Sequence, residues 1–283
     1  MSITNKWDWE IGKNVTTWNW NLKEIWAYRH LLINLVKRDF TLNYQQTILG
    51  PLWSLLQPVF TLITYVIVFR NLVGLSVGTL PPILFYFSGI VLWNFFSESF
   101  TGTSNTFKEH FYLFSKVYFP RIIMPVSVVC THFLRCLLQL ALLILLVLYY
   151  WLFRNINIHF GLNLLGVPLS ILLVGSLGLG VGLIISLITV KYRDIANMVS
   201  LGIRLLMFMT PVIYPLASVR PSLKWIVEAN PLTVYFELFR FSLFGEGTVS
   251  YLNLLVSTLI TLGILLTALL VFNKKSNSLL DIV

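Results

Sequence analysis

Residues 164–190 read LLGVPLSILLVGSLGLGVGLIISLITV, a run without one charged side chain. About 20 apolar residues suffice to cross a hydrocarbon core of about 30 Å. A helix on the surface of a soluble domain keeps a polar face, and this stretch has none. Working outward, five further runs are also mainly apolar, with at most one charge each: 52–70 (LWSLLQPVFTLITYVIVFR), 80–100 (LPPILFYFSGIVLWNFFSESF), one within 122–153, 197–215 and 250–272. Hydrophobic residues make up 57% of the 283-residue chain and charged ones 11%, with mean hydropathy +0.81. One or two soluble domains do not need that much apolar sequence. The pattern predicts an all-α membrane protein with six transmembrane helices.

The third run is longer than a crossing needs, and Pro120 and Pro125 at its start predict a kink or an interfacial portion there. With the N-terminus inside, the inner segments hold Lys6, Lys13, Lys23, Arg29, Lys37, Arg38, Lys108, Lys116, Arg121, Lys191, Arg193, Lys274 and Lys275. The outer segments hold only Arg70, Arg154, Arg220, Lys224 and Arg240. Cytoplasmic loops carry the excess of Lys and Arg, so both termini are expected inside. This placement also accounts for the net charge of +9 without nucleic acid. Residues 1–23 lack the order of a secretory signal and carry Trp7, Trp9, Trp18 and Trp20, a cluster with no evident role. Cys130 and Cys136, six apart in an apolar run, fall on different helix faces and do not suit a mutual disulfide.

Three segments between the runs have their own pattern. In 22–45, Ile25, Tyr28, Leu32, Leu35/Val36 and Phe40 recur at helical spacing opposite Arg29, His30, Asn34, Lys37 and Arg38, which predicts an N-terminal amphipathic interfacial helix. The stretch 103–121 is read as a loop mixing aromatics with Lys108, Glu109, Lys116 and Arg121. The stretch 216–249 is long for a loop and holds two helix-like pieces, LKWIVEA and LTVYFELFRFSLF, which predict short re-entrant helices between spans five and six. Three parts result: a 1–50 N-terminal segment, a 51–275 transmembrane domain and a 276–283 tail.

Catalytic patterns are missing. No G-x-x-x-x-G-K-[ST] occurs, so no P-loop for ATP is present, and neither a metal-ligand spacing nor a nucleophile elbow is found. The glycine cluster GSLGLGVG (175–182), with Gly178 and Gly182 four apart, suits close helix packing better than phosphate binding. Charges within the runs are Glu98, Arg135 and Arg204; such groups face one another or a pathway, and Glu98 and Arg135 are placed to pair. Trp53, Gln57, Phe60 and Thr64 share one face of the first span, as Trp93, Phe96 and Phe100 do on the second. Rings stack on sugars while amides and hydroxyls read their edges, so these residues are candidates to line a glycan channel. Interfacial belts and lipid-facing bulk are the competing explanation.

RDFTLNYQQTILGPLW (38–53), Pro58, Val68-Phe69, then YRDIANMV (192–199), TPVIYP (210–215) and NPL (230–232) occur in an order that resembles the type-2 ABC exporter permeases, and most the Wzm-type polysaccharide branch. The resemblance covers roughly 24–275. It implies a permease that pairs with a second copy of itself and with two ABC-type ATPase subunits. ATP and Mg would be held by those subunits, leaving this chain without a cofactor. The cargo it implies is a lipid-linked polysaccharide such as O-antigen, moved across the bacterial inner membrane. ATPase contact would fall on Arg38, Asp39 and Tyr44 and on Lys108, Glu109, Phe111 and Tyr112, with Tyr192–Asp194 bracing the region. Teichoic acid, capsule and small lipophilic cargoes remain open within the same fold. An enzyme of lipid-linked sugars would need clustered His or carboxylates, and a proton-coupled carrier would need more than one carboxylate in the spans.

Overall fold

The computed structural model describes residues 26–116, 119–154, 162–192, 194–247 and 249–279, and its regular elements there are all helical. In chain order they are α1 (Arg29–Tyr44), α2 (Gly50–Leu72), α3 (Pro82–Lys116), α4 (Ile123–Arg154), α5 (Gly166–Thr189), α6 (Ile195–Phe208), α7 (Pro221–Ala229), α8 (Pro231–Phe244) and α9 (Tyr251–Leu279). Among the described residues, five segments are long and apolar enough to cross a membrane: Gly50–Leu72, Pro82–His110, Ile123–Arg154, Asn163–Thr189 and Tyr251–Lys275.

The remaining crossing is built differently from the expected helix over 197–215. α6 has 14 residues, about 21 Å at roughly 1.5 Å per residue, which falls short of the bilayer core. It ends because Pro211 and Pro215 cannot supply the next helical N–H groups. The chain continues as tight turns in which Thr210, Val212 and Ile213 are buried. Irregular backbone at that depth is tolerated only inside protein, and α3 and α8 provide the cover. α7 and α8 form the short hairpin expected between spans five and six.

α3 is the hub. Of its most apolar stretch 78% is buried, against 11% for α2, 22% for α4 and 17% for α9. The last three are perimeter helices whose exposed Leu, Ile and Phe side chains suit lipid. Around α3, Tyr86, Phe87, Tyr235, Phe236 and Phe239 are fully enclosed, so α8 packs into the body as tightly as any span.

Glycines set how closely the spans meet. A Cβ on Gly175 would lie 2.9 Å from the Phe95 ring, one on Gly178 3.2 Å from Ser99 Cβ, and one on Gly182 2.6 Å from Thr103 Cβ. Three glycines of α5 thus face α3. Gly180, on another face, would place its Cβ 3.2 Å from the Leu265 backbone of α9. The packing reading of the 175–182 cluster therefore holds for two interfaces at once.

One local expectation is corrected and another is narrowed. The stretch read as a loop from 103 is a continuation of α3 to Lys116, because no Gly or Pro stops the helix between Gly102 and Pro120. It bends instead at His110, whose backbone is non-helical (φ −114°, ψ 17°). α4 is one helix of 32 residues with no kink. Pro125 sits in its first turn, where a missing N–H costs no hydrogen bond. Its length of about 48 Å exceeds the hydrocarbon core, so it tilts or projects beyond it.

α1 docks on the end of the bundle rather than standing free. Leu35 is buried with Phe107, Phe119, Ile123, Met124, Leu183, Ala268 and Phe272, and Tyr28, Leu31 and Leu32 pack beside it. The Trp cluster at 7–20 and Ile25 lie outside the described residues. Cys130 and Cys136 are both free.

The α3–α5 contact yields a direct test. Gly182→Leu forces a side chain into space held by Thr103 and the Phe100 carbonyl, and should cost about 1–3 kcal/mol. It should lower the melting temperature of the detergent-solubilised protein, whereas Gly202→Ala, which meets nothing within 4 Å, should leave it unchanged.

Candidate functional site

α2 carries an open groove of about 430 Å³ lined by Trp53, Gln57, Phe60, Thr61, Thr64 and Tyr65. The helical repeat places these residues on one side, and little protein covers them: Trp53 is 50% exposed and Phe60 62%. Thr61 and Thr64 donate to the Gln57 and Phe60 carbonyls, at 3.0 and 2.9 Å. The hydroxyl oxygens still have lone pairs to offer. All four α2 residues singled out from the sequence come together here. The α3 set does not join them. Trp93, Phe96 and Phe100 are 7%, 2% and 8% exposed and pack on one another in the core, with centroids 5.7 and 6.0 Å apart. Their shared face packs inward in this protomer.

A polar seam runs between α3 and α4. Glu98 Oε2 lies 3.0 Å from His132 Nδ1 and 3.4 Å from an Arg135 terminal nitrogen. One turn on, the Gln139 amide donates to the Ser54 carbonyl at the start of α2, and the Asn94 amide donates to Gln139 Oε1, at 3.3 and 3.4 Å. The Arg135 guanidinium also stands 5.7 Å over the Tyr44 ring at the end of α1. The seam thus ties α1 and α2 to the central helices through side chains that would be costly if left unpaired.

The third charge from the sequence behaves otherwise. Arg204 is exposed on α6, flanked by exposed Leu201, Leu205 and Phe208.

At the hairpin end, Arg240 of α8 is 2% exposed. It donates to the Pro211 and Val212 carbonyls at 2.7 and 3.1 Å, approaches Ser88 Oγ at 3.4 Å and lies 3.8 Å over the Phe85 ring. Glu237 Oε1 is 3.7 Å away. Asn230 caps α8 through the Leu232 N–H and reaches Thr210 Oγ1 at 3.0 Å with its amide. Together the two side chains satisfy the turns that follow α6. Gly89 leaves the room this needs: a Cβ there would lie 2.6 Å from the Val212 oxygen.

At the opposite end, Arg38 makes a two-pronged bond to Asp39 at 2.7 and 2.9 Å, and Phe40 meets Tyr44 edge-on at 4.9 Å. Lys108 and Glu109 are exposed on α3 just before the His110 bend, while the side chains of Phe111 and Tyr112 lie outside the described part. Tyr192 is 50% exposed after α5, and Asp194 opens α6 without a side-chain cap bond. Arg193 is outside the described residues. Among the described residues no cluster suited to a metal ion is formed.

A model of the ABC-2 type transporter family matches residues 30–244. The chain belongs to that family. As a member it is a multi-pass transporter membrane component rather than an enzyme, and it works with an ABC ATPase subunit. An "O-antigen export system permease protein RfbA" of Klebsiella pneumoniae is 28% identical over 246 residues, spanning 86% of this chain and 91% of that protein. A protein of the same name from Myxococcus xanthus is 31% identical over 201 residues, or 70% and 74% of the two chains.

Sequence reasoning gave His132 no role and placed Arg240 among the outer charges. The signal for His132 was present: His132, Arg135 and Gln139 are spaced i, i+3, i+7, one helical face, and Asn94 and Glu98 are spaced i, i+4 on the helix before. Arg240 carried no such signal, because its acceptors are backbone carbonyls contributed by another segment.

Two substitutions test these contacts. Arg135→Gln should destabilise the solubilised protein by about 1–3 kcal/mol, less than for a fully buried pair because Glu98 is 35% exposed. Adding Glu98→Gln should restore part of the loss in thermal unfolding, since no lone carboxylate then remains. Arg240→Ala should cost about 3–5 kcal/mol by stripping two buried carbonyls and Glu237 of their cation. Limited proteolysis should then cut between Met209 and Arg220 sooner than in the wild type.

Proposed function

We propose that this chain is the permease of an ATP-driven exporter that moves a lipid-linked polysaccharide of the O-antigen kind from the cytoplasmic to the outer face of a bacterial inner membrane. The observation that carries this reading is the near full-length match to permeases named for O-antigen export. The α2 groove supports it, since exposed rings, an amide and hydroxyls on one side of a span are what a hydroxylated chain of sugars needs and what a purely lipid-facing helix does not.

Two copies would pair through the uncovered α2 and α6 faces, so that the groove of each lines a shared path. Two ATPase subunits, holding ATP and Mg, would dock at the end bearing α1 and the His110 bend. The Lys and Arg excess at that end supports placing it, with both termini, in the cytoplasm. The hairpin end then faces outward. Closure of the ATPase subunits on ATP would push α1, and the seam from Tyr44 and Arg135 through Gln139 to Ser54 would pass that movement to α2. In this way displacement at the membrane surface reaches the wall of the path.

Deleting the gene should leave glycan on its lipid carrier inside the cell, and restoring the chain should return it to the surface, read by antibody or lectin labelling of intact cells. Trp53→Ala and Phe60→Ala should each lower export about two- to tenfold, the loss of one stacking contact of roughly 0.5–1.4 kcal/mol. Surface glycan unchanged by the deletion would refute the assignment.

A further inference from the structure

Among the described residues, Arg204 is a charge in the body of a span whose place neither the packing nor the coupling region explains. Glu98 and Arg135 pair with each other, and Arg240 caps backbone carbonyls. Arg204 is exposed, and among the described residues no hydrogen bond, ion pair or ring contact reaches it. A cation in the body of a span is costly in lipid and persists where water or an anion meets it.

Its position fixes the direction it faces. Met207, three residues on, lies 3.6 Å from the Tyr65 hydroxyl at the groove's far end. Three residues place Arg204 about 60° round the helix from Met207 and one turn along it. The buried side of α6 is marked by Val199 and Ile203, and Arg204 lies away from it in the direction that Met207 takes toward α2. Asn197 and Ser200 are exposed at spacings of seven and four before it, so the open side of α6 carries a polar stripe with one cation. The open side of α2 carries rings, an amide and hydroxyls.

A second copy cannot neutralise that cation by meeting this face. A two-fold interface presents the same patch from both sides, and neither Gly50–Leu72 nor Ile195–Phe208 contains an aspartate or glutamate. Pairing two such faces doubles the positive charge. The anion must then come from what passes between them.

We infer that the α6 stripe with the α2 groove forms a binding subsite for an acidic sugar residue of the transported glycan, with Arg204 taking its carboxylate or phosphate while the α2 rings stack on the sugar faces. This rests on the export reading above and narrows it to polymers carrying negative charge along their length. A sugar of the chain suits the subsite better than the diphosphate of a lipid carrier: the adjoining groove offers stacking rings and hydroxyls, and a diphosphate needs neither. Arginine is suited to the task because its planar fork holds a carboxylate or phosphate by two bonds.

The test uses the purified permease with its ATPase subunit and measures binding of tetragalacturonate, of maltotetraose as the neutral tetramer, and of undecaprenyl diphosphate. Wild type should bind tetragalacturonate about tenfold or more tightly than maltotetraose, and that preference should shrink as salt rises from about 0.05 to about 0.5 M. Arg204→Gln, checked for a monodisperse profile, should bring the two tetramers to parity, and Arg204→Lys should keep part of the preference. The wild-type preference and its salt dependence stand even if a variant fails to fold. Equal binding of the two tetramers, or a preference that survives in Arg204→Gln, overturns the inference while leaving the export reading intact. Arg204-dependent binding of undecaprenyl diphosphate without any tetramer preference overturns it too, and reassigns the cation to the carrier. A chain that binds no tetramer and whose deletion leaves surface glycan unchanged fails at the export reading itself.

Discussion

The close approach of α5 to α3 governs the rest of the molecule. In lipid there is no hydrophobic drive to bring two apolar helices together, so they associate through dispersion and backbone proximity. Gly175, Gly178 and Gly182 remove the Cβ atoms that would otherwise hold α5 away from Phe95, Ser99 and Thr103. With α5 seated on one side of α3 and α4 on another, α3 becomes the enclosed axis and the remaining spans take perimeter positions. Gly180 extends the same device to α9. The fold is therefore anchored by absent atoms, and the aromatic core around Tyr86 and Tyr235 fills the wider space toward the hairpin end.

Three arginines show how such a bundle handles charge where water is scarce. Arg135 is matched by a carboxylate and a histidine across an interface that also holds α1 and α2 in place. Arg240 is matched by carbonyls that a broken helix leaves without donors, so one cation and one irregular turn satisfy each other. Among the described residues Arg204 is matched by nothing, and it stands on the exposed side of α6. The first two are fixtures of the fold, held on several sides by protein.

The outer hairpin and the short α6 are a single construction. α6 stops because two prolines follow it, and the unpaired backbone beyond Phe208 is gripped by Asn230 and Arg240 from α8. TPVIYP and NPL, separate in the chain, are thus two halves of one contact. The physical need for backbone hydrogen bonds in an apolar medium explains why they occur together.

Apolar runs, the Lys and Arg imbalance and the proline and glycine positions were sufficient to derive an all-helical bundle, an amphipathic first helix, a re-entrant hairpin and the shared face of Trp53, Gln57, Phe60 and Thr64. These properties follow from local periodicity, since a helix repeats every 3.6 residues whatever it packs against. Which faces would be covered was beyond that reach. Trp93, Phe96 and Phe100 have the same spacing as the α2 set, yet they point into the core because α3 happens to be the central helix. The helix through 103–116, the bend at His110 and the partners of His132 and Arg240 likewise depend on neighbours distant in sequence. Periodicity assigns side chains to a face; only the packing of several helices decides whether that face meets protein, lipid or an open path.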